Sequence, residues 1–341
     1  MAETSPRVPR RLTLVVTSLE AGGAERVLSS LANAWSAEGR TVTVITLHHA
    51  ANDFYELAPG VTRVALDVLR PSRGAADAML GNVRRVRALR RAIKSSMPDV
   101  VIAFTDQTNV STLLACVGLG LPVVVSERID PASHAIGRAW DAARRCVYPR
   151  AHAVVVQTET VADWARRFMP AARVRVIPNP VARILPGPGD ANPVVPLVVL
   201  PAPFVAAMGS LVPRKGFLDL IRAFASATVD HGDWHLVILG EGDERARLEE
   251  EATRLGLGPR VHLPGLVDYP GRVLTQASLF VLSSHSEGFP NALLEAMSCG
   301  CASISVDCPS GPSDSDPIRH QWRARSGWRR ACARSGDARS D

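Results

Sequence analysis

Short runs of β-branched and aliphatic residues alternate along the chain with longer segments in which apolar positions recur every three or four residues. Residues 12–18 form the first apolar run. Residues 23–38 follow, with Val27, Leu28, Leu31 and Trp35 at helical spacing and Gly39 as the stop. Further apolar runs fall at 41–47, 61–67, 100–104, 122–126 and 153–157, each bounded by Pro, Gly or polar residues, with helical stretches between them. Runs this short and apolar on both faces predict strands of a parallel sheet covered by helices.

From residue 177 to 203 prolines and glycines dominate and the helical period is lost, which marks an interdomain linker. The alternation then restarts. Strands are predicted at 204–208, 235–239, 261–263, 279–283 and 302–306, with helices at 216–227, 243–255 and 291–298. The chain therefore reads as α/β, with two Rossmann-like doubly wound domains at 11–180 and 204–313, a linker at 181–203 and a separate tail at 314–341. Ligands of such sheets bind beyond the carboxyl ends of the strands, so the loops after each strand carry the candidate chemistry.

Composition narrows the class. A chain of 341 residues with 46% hydrophobic content buries a sizeable core. No apolar run reaches the roughly 18 residues of a spanning helix. Arg7, Arg10 and Arg11 are not followed by a signal-peptide core or cleavage site, so a cytoplasmic protein is expected. Six cysteines at irregular spacings argue against a disulfide framework. Cys299 and Cys301 lack a matching His pair for zinc, and most of the cysteines are expected to be small buried hydrophobes. The net charge is +6, but residues 317–341 hold seven arginines against two aspartates, +5 of that total. The remaining 316 residues carry +1, so no nucleic-acid partner is expected. Residues 79–96 combine Arg84, Arg87, Arg91 and Lys94 on one side with Val86, Leu89 and Ile93 on another. Such a helix suits either an anionic membrane leaflet or a solvated domain surface.

The strongest chemical signal is the segment 283–297, S-S-H-S-E-G-F-P-N-A-L-L-E-A-M. A strand ends, a loop with Gly288 follows, and Pro290 stands where a first helical residue is preferred. The free N–H groups and dipole of that helix start suit a phosphate. Glu287 precedes the helix, while Glu295 lies in its second turn with its side chain leaning back toward the start. Both carboxylates can thus reach one ligand, and a carboxylate facing a vicinal diol accepts two hydrogen bonds, which suits ribose. On spacing alone, a surface glutamate plus an ordinary helix glutamate is an equal alternative.

Embedded as E-G-F-P-N-A-L-L-E-A-M-S-C-G, the two glutamates resemble the hallmark of family 4 of the retaining glycosyltransferases, of GT-B fold. Gly22-Gly23-Ala24-Glu25-Arg26-Val27 resembles that family's first glycine loop. Ser126-Glu127-Arg128-Ile129-Asp130-Pro131 resembles the S-E-R-N-D-P of members that build bacterial surface polysaccharides and lipid-linked oligosaccharides. Val176-Ile177-Pro178-Asn179-Pro180 resembles the strand end before the linker. Gly209 to Gly216, G-S-L-V-P-R-K-G, resembles the diphosphate loop, and Gly240-Glu241-Gly242-Asp243 the second-domain glycine turn. The similarity spans about residues 11–313. It implies two domains facing a cleft and transfer, with retention, of a sugar from a nucleoside-diphosphate donor, uridine-based, to a glycan or lipid-linked glycan. The enzyme is expected in the cytoplasm, with residues 79–96 as the candidate for peripheral contact on the inner face of the membrane.

The resemblance also assigns roles. Lys215 neutralises the donor diphosphate as the leaving group develops charge. Ser210 stands where the family usually has an arginine, and Arg214 is the candidate for the second positive charge. Glu287 contacts the transferred sugar and its reacting face, Glu295 the ribose, and Leu266 and Val267 the base through their backbone. Gly288, Phe289 and Asn291 belong to the donor helix start. Gly22 and Gly23 admit the donor phosphate or the acceptor, and Arg128, Asp130 and His134 face the acceptor. No metal or other cofactor is implied. Asp314-Ser315-Asp316 has the spacing of a metal-binding pair but follows no suitable strand. Gly240 and Gly242 lack the third glycine of a dinucleotide fingerprint. Two other readings stand beside the enzyme: a donor-binding relic without activity, favoured by Ser210 and the tail, and a nucleotide-sugar epimerase of the same fold, disfavoured by the acceptor-side motifs.

After Ile318 the tail contains no Leu or Val and cannot bury a strand or an amphipathic helix. Back-translated from Gln321 with permitted synonymous codons and read one base out of frame, it gives N-G-V-L-V-P-V-G-D-V-R-A-L-A-R-A-M-L-D-L, a family-like continuation. A frameshift near residues 313–320 that truncates the second domain is the expectation, and resequencing the locus checks it.

Overall fold

The computed structural model describes residues 8–71, 73–132, 134–181, 202–308 and 311–312. Two compact units divide at Pro180, Met1–Pro180 and Val181–Asp341. Most of the expected linker (182–201) and the whole of the tail at 314–341 lie outside the described residues.

The first unit runs β1 (Arg11–Val16), α1 (Gly23–Ala37), β2 (Thr41–Thr46), β3 (Val61–Ala65), α2 (Ala75–Ser96), β4 (Val100–Phe104), α3 (Asp106–Cys116), β5 (Val123–Ser126), α4 (Arg138–Val147), β6 (Ala153–Val156), α5 (Glu159–Arg166) and β7 (Val174–Val176). Its strands form one parallel sheet in the order β3-β2-β1-β4-β5-β6-β7. Successive residues of a strand point to opposite faces, so β1 serves two cores at once. Leu12, Leu14 and Val16 pack with Leu28 and Val44 on one face, while Val15 joins Ile45, Leu89, Ile93 and Val125 on the other. The strand order reverses between β1 and β4, which opens the ligand crevice of such a sheet at their carboxyl ends.

The second unit runs β8 (Phe204–Met208), α6 (Phe217–Ala227), β9 (His235–Leu239), α7 (Arg245–Arg254), β10 (Val261–Gly265), α8 (Pro270–Leu274), β11 (Leu279–Leu282), α9 (Asn291–Ser298) and β12 (Ser303–Ser305). Its sheet is also parallel, in the order β10-β9-β8-β11-β12. Phe204, Phe280, Leu293 and Leu294 fill one face, and Val205, Phe217, Ile221 and Ile238 the other. Among the described residues β12 is one edge of the sheet and β10 the other, with Ile304 on β12 and Val306 just after it exposed.

Several expectations need correction. Pro290 is not the first helical residue; it precedes Asn291 as the cap. The helix expected from 216 begins at Phe217, after a separate single turn of 3-10 helix at Pro213–Lys215. The strand expected to end at residue 263 continues to Gly265. Helix α8 was not expected at all. Cys146 is exposed, unlike the buried Cys116 and Cys308.

His235 on β9 and His262 on β10 stack, with Nδ1 and Nε2 3.0 Å apart. Burial, helped by the neighbouring His235, pushes the His262 imidazole below its ordinary value. A lowered folded-state value means that the neutral ring is favoured by folding. The contribution is therefore complete above about pH 6.5 and is lost as pH falls through the depressed folded value. Urea midpoints are expected to drop between about pH 7.5 and pH 5.5, and His262→Phe is expected to flatten part of that drop. Identical pH slopes for the variant and the wild type would rule the pair out as the cause.

Candidate functional site

In the second unit the loops leaving β8 and β11 are stitched together. After Gly209 the chain turns through Pro213–Lys215 into Gly216, which has φ +65, and a Cβ there would lie 2.2 Å from the Ser283 carbonyl oxygen. Only glycine permits both that backbone conformation and that approach. Ser283 Oγ donates to the Lys215 carbonyl at 2.9 Å, and the His285 N–H donates to the Arg214 carbonyl at 2.8 Å. The stitching brings Lys215 Nζ to 2.6 Å from Glu287 Oε1, and Ser284 Oγ donates to the same oxygen at 2.6 Å. The lysine side chain is 12% exposed and the glutamate 5%, so water screens the pair little.

Helix α9 starts directly behind Glu287. Gly288, Phe289 and Pro290 are buried, with Phe289 anchored in the Phe204–Phe280 core. The Asn291 N–H donates to the Phe289 carbonyl and the Leu294 N–H to that of Pro290. Glu295, the fifth residue of α9, is 2% exposed, an unusual burial for a carboxylate. Ser210 and Arg214 are exposed on the β8 loop. Past β10, Leu266 is exposed while Val267 packs against the Phe204–Phe280 core. Among the described residues no group of three His, Cys, Asp or Glu is placed to hold a metal ion.

In the first unit the strand-end loops carry a second polar cluster. Gly22 caps α1 in an extended conformation, its carbonyl accepting from the Arg26 N–H, and a Cβ on it would lie 2.1 Å from the Glu25 carboxylate. Burial pushes that Glu25 carboxyl above its ordinary value. Gly23, the first residue of α1, is exposed. At the end of β5, Glu127 is 1% exposed. Its Oε1 accepts from the Tyr148 hydroxyl and from Arg144 Nη1 at 3.2 Å. Asn109 Nδ2 donates to Tyr148 Oη and to the Ser126 carbonyl, and the Arg144 guanidinium lies 4.9 Å from the Trp164 ring centre. Burial pushes the Glu127 carboxyl up, while Arg144 and the Tyr148 hydroxyl oppose the rise.

The three acceptor-side candidates of the sequence share one loop but engage different partners. Arg128 Nη1 donates to Asn179 Oδ1. The buried Asp130 takes the Ala132 N–H on Oδ1 at 2.9 Å, and its carbonyl takes the His134 N–H at 3.1 Å. His134 Nε2 in turn lies 3.4 Å from Asp106 Oδ2, in the first turn of α3. Sequence reasoning missed Ser284, Asp106, Asn109, Arg144 and Tyr148, and it gave Glu127 no role. An acidic residue directly after the strand Val123–Ser126, three valines and a serine, was the available signal for Glu127; nothing local points to Arg144.

Two family models match consecutive stretches of the chain, the glycosyl transferase 4-like domain over residues 22–180 and the glycosyl transferases group 1 over residues 195–315. A Campylobacter jejuni alpha-1,4-N-acetyl-D-galactosaminyltransferase, named for an acceptor on undecaprenol diphosphate, is 28% identical over 89% of this chain and 81% of its own. The lipopolysaccharide 1,6-galactosyltransferase of Escherichia coli is 26% identical over 73% of this chain and 68% of its own. Among solved structures, Anabaena HepE in complex with UDP and glucose superposes with a TM-score of 0.69 at 19% identity, covering 88% of this chain and 82% of that one. That likeness shows the two-domain GT-B fold. With both domain families present in order, the chain belongs to the group 1 glycosyltransferases with a 4-like N-terminal domain.

Proposed function

We propose that this enzyme takes a sugar from a uridine-diphosphate donor and transfers it, with retention of anomeric configuration, to a glycan or lipid-linked glycan of a surface polysaccharide or glycoconjugate. The observation that carries this reading is the water-poor Lys215–Glu287–Ser284 cluster set between the β8 loop and the start of α9. Lys215 supplies a fixed positive charge where the departing diphosphate gains negative charge, so no metal is required. Gly288 and Phe289, whose backbone N–H groups immediately precede α9, add to the positive dipole end at its start; Pro290 has no N–H, and that of Asn291 is bonded to the Phe289 carbonyl. Glu287 accepts hydrogen bonds from hydroxyls of the transferred sugar, and Glu295 accepts from the ribose. Leu266 and Val267 present backbone groups to the base, Arg214 stands in for the family arginine replaced by Ser210, and Gly22 and Gly23 admit phosphate or acceptor. The Anabaena structure with UDP and glucose supports the donor, and the Campylobacter relative supports the acceptor class. Incubation with a panel of nucleotide sugars, with and without acceptor glycans, tests the reading: UDP release with an α-linked product from an α-linked donor is expected. Binding of donors without any turnover would instead make the chain a relic.

Peripheral membrane contact belongs to the same proposal. No helix among the described residues is long and apolar enough to cross a membrane. Along α2, Arg84, Arg87, Arg91 and Lys94 are exposed, and Met79, Leu80 and Val83 are exposed apolar neighbours. Each basic residue at an anionic surface contributes about 1 kcal/mol. Replacing all four by Ser is therefore expected to weaken binding to phosphatidylglycerol vesicles by about 100-fold or more. Sedimentation with vesicles reads this, and equal sedimentation of both proteins removes α2 as the contact.

A further inference from the structure

Among the described residues, Arg128 is a largely enclosed cation with no carboxylate of its own. It follows β5, its guanidinium lies 4.5 Å from the centre of the Phe104 ring at the end of β4, and its Nη1 donates to the neutral side-chain amide of Asn179 beyond β7. Its Nε–H is buried without an acceptor among the described residues. The nearby acidic residues are occupied elsewhere. Glu127 faces Arg144 and Tyr148, Asp106 faces His134, and Asp130 takes the Ala132 N–H. Loss of hydration accordingly pulls the Arg128 guanidinium down to about 9, far below the ordinary arginine. Enclosing a charge without a counter-charge is among the costlier things a fold does, and an arriving anion relieves that cost. The position is also where a ligand is expected, at the carboxyl edge of the first unit's sheet, in the loop after β5, the strand beside switch-point strand β4.

We propose that Arg128 is the anion anchor of the acceptor site, taking an oxyanion carried by the acceptor, a phosphoryl or carboxylate group, while Phe104 and Asn179 hold the guanidinium plane in place. The planar fork of arginine matches such an oxyanion with paired N–H groups, which a lysine does not reproduce. The inference rests on the glycosyltransferase reading above and deepens it, since it makes the acceptor charged near the sugar that is extended. A purely structural Arg128, stapling three strand ends together, predicts lost stability and no dependence on acceptor charge.

The test uses the full chain and three acceptors with the same terminal sugar: a neutral alkyl glycoside, an alkyl-diphosphate glycoside and a uronic-acid-containing glycoside. Wild-type kcat/KM is expected to favour a charged acceptor over the neutral one by about 10- to 100-fold. In Arg128→Gln that ratio is expected to collapse toward one, through KM, and Arg128→Lys is expected to restore it in part. Because each ratio is measured on one sample, a loss of folded protein cancels. Whichever charged acceptor shows the collapse identifies phosphoryl or carboxylate as the group bound. An unchanged ratio in Arg128→Gln, or a change in donor KM alone, overturns the assignment. A second measurement needs no turnover: with UDP saturating and ionic strength matched, inorganic pyrophosphate is expected to raise the melting temperature of the wild type and of Lys215→Ala but not of Arg128→Gln. Equal shifts in wild type and Arg128→Gln refute the anion site even if transfer is observed, whereas absence of all nucleotide-sugar turnover, with the pyrophosphate effect intact, refutes the glycosyltransferase reading instead.

Discussion

Glu287→Gln is expected to lower kcat by about 10²- to 10⁴-fold, and to lower the melting temperature as well, because it leaves the enclosed Lys215 charge without its partner. The substitution keeps the shape of the side chain and an oxygen that can still accept from Ser284 Oγ, but it removes the charge that faces Lys215 at 2.6 Å. In a site only 5% exposed on the glutamate side, that charge acts through a poorly screened field. A lysine released from its partner binds the free nucleoside diphosphate at least as well, so the loss is expected in turnover and not in UDP affinity. Lys215→Ala makes the complementary change, with an expected 10²- to 10³-fold loss in kcat, of the order found when one stabilising group is taken from a developing anion. The two residues share one hydrogen bond, so the double variant is expected to lose far less than the product of the singles. Steady-state rates with a fixed donor and acceptor measure all three. A Glu287→Gln enzyme with wild-type kcat would take the carboxylate out of the reaction.

The parallel sheets were legible because strands buried on both faces leave near-continuous apolar runs, as in 12–18 and 204–208; the second coincides with β8, while the first runs two residues past the end of β1 at Val16. The ends of elements were less legible where backbone bonding competes with pattern. Pro213–Lys215 tightens into its own turn because Gly216 adopts a left-handed conformation that interrupts any continuous helix into α6. Helix α8 is five residues long and opens on Pro270-Gly271, a pair that reads as a turn. Of the candidate site, the motif located Lys215 and Glu287 but not their contact, which spans 72 residues of sequence and depends on Gly216 lying against the Ser283 carbonyl. Ser284 was in view inside the same motif, yet its bond to Glu287 depends on the loop geometry. The Glu127 network was hidden for a different reason. Its cation sits on α4, 17 residues along, in a helix whose other arginines, Arg138 and Arg145, are exposed. Composition cannot distinguish the one that turns inward.

That inward arginine makes Glu127→Ala the substitution with the largest expected cost to the fold. The change leaves Arg144, 2% exposed, with Nη1 facing an empty space, and it leaves the Tyr148 hydroxyl without its acceptor. Removing one partner of a buried ion pair costs about 3–5 kcal/mol, because the remaining charge stays dehydrated. For a unit of this size that corresponds to a fall of roughly 6–20 °C in melting temperature. Asp141 still bonds the Arg144 guanidinium, and the Trp164 ring still lies beneath it, so the lower half of that range is the better expectation. Tyr148→Phe removes one neutral hydroxyl, which donates to Glu127 and accepts from Asn109 Nδ2, and is expected to cost about 1–2 kcal/mol. Replacing both charges, as Glu127→Met with Arg144→Met, removes the two dehydrated groups together and is expected to melt closer to wild type than Glu127→Ala does. The comparison separates charge burial from packing: if the double variant is as unstable as the sum of the singles, the site is held by shape and not by the pair. Because Glu127 is the residue before Arg128, the same cycle read in acceptor KM shows whether the buried pair also holds the loop that presents Arg128. A KM that rises in Glu127→Ala and recovers in the double variant would tie the fold of β5 to acceptor binding.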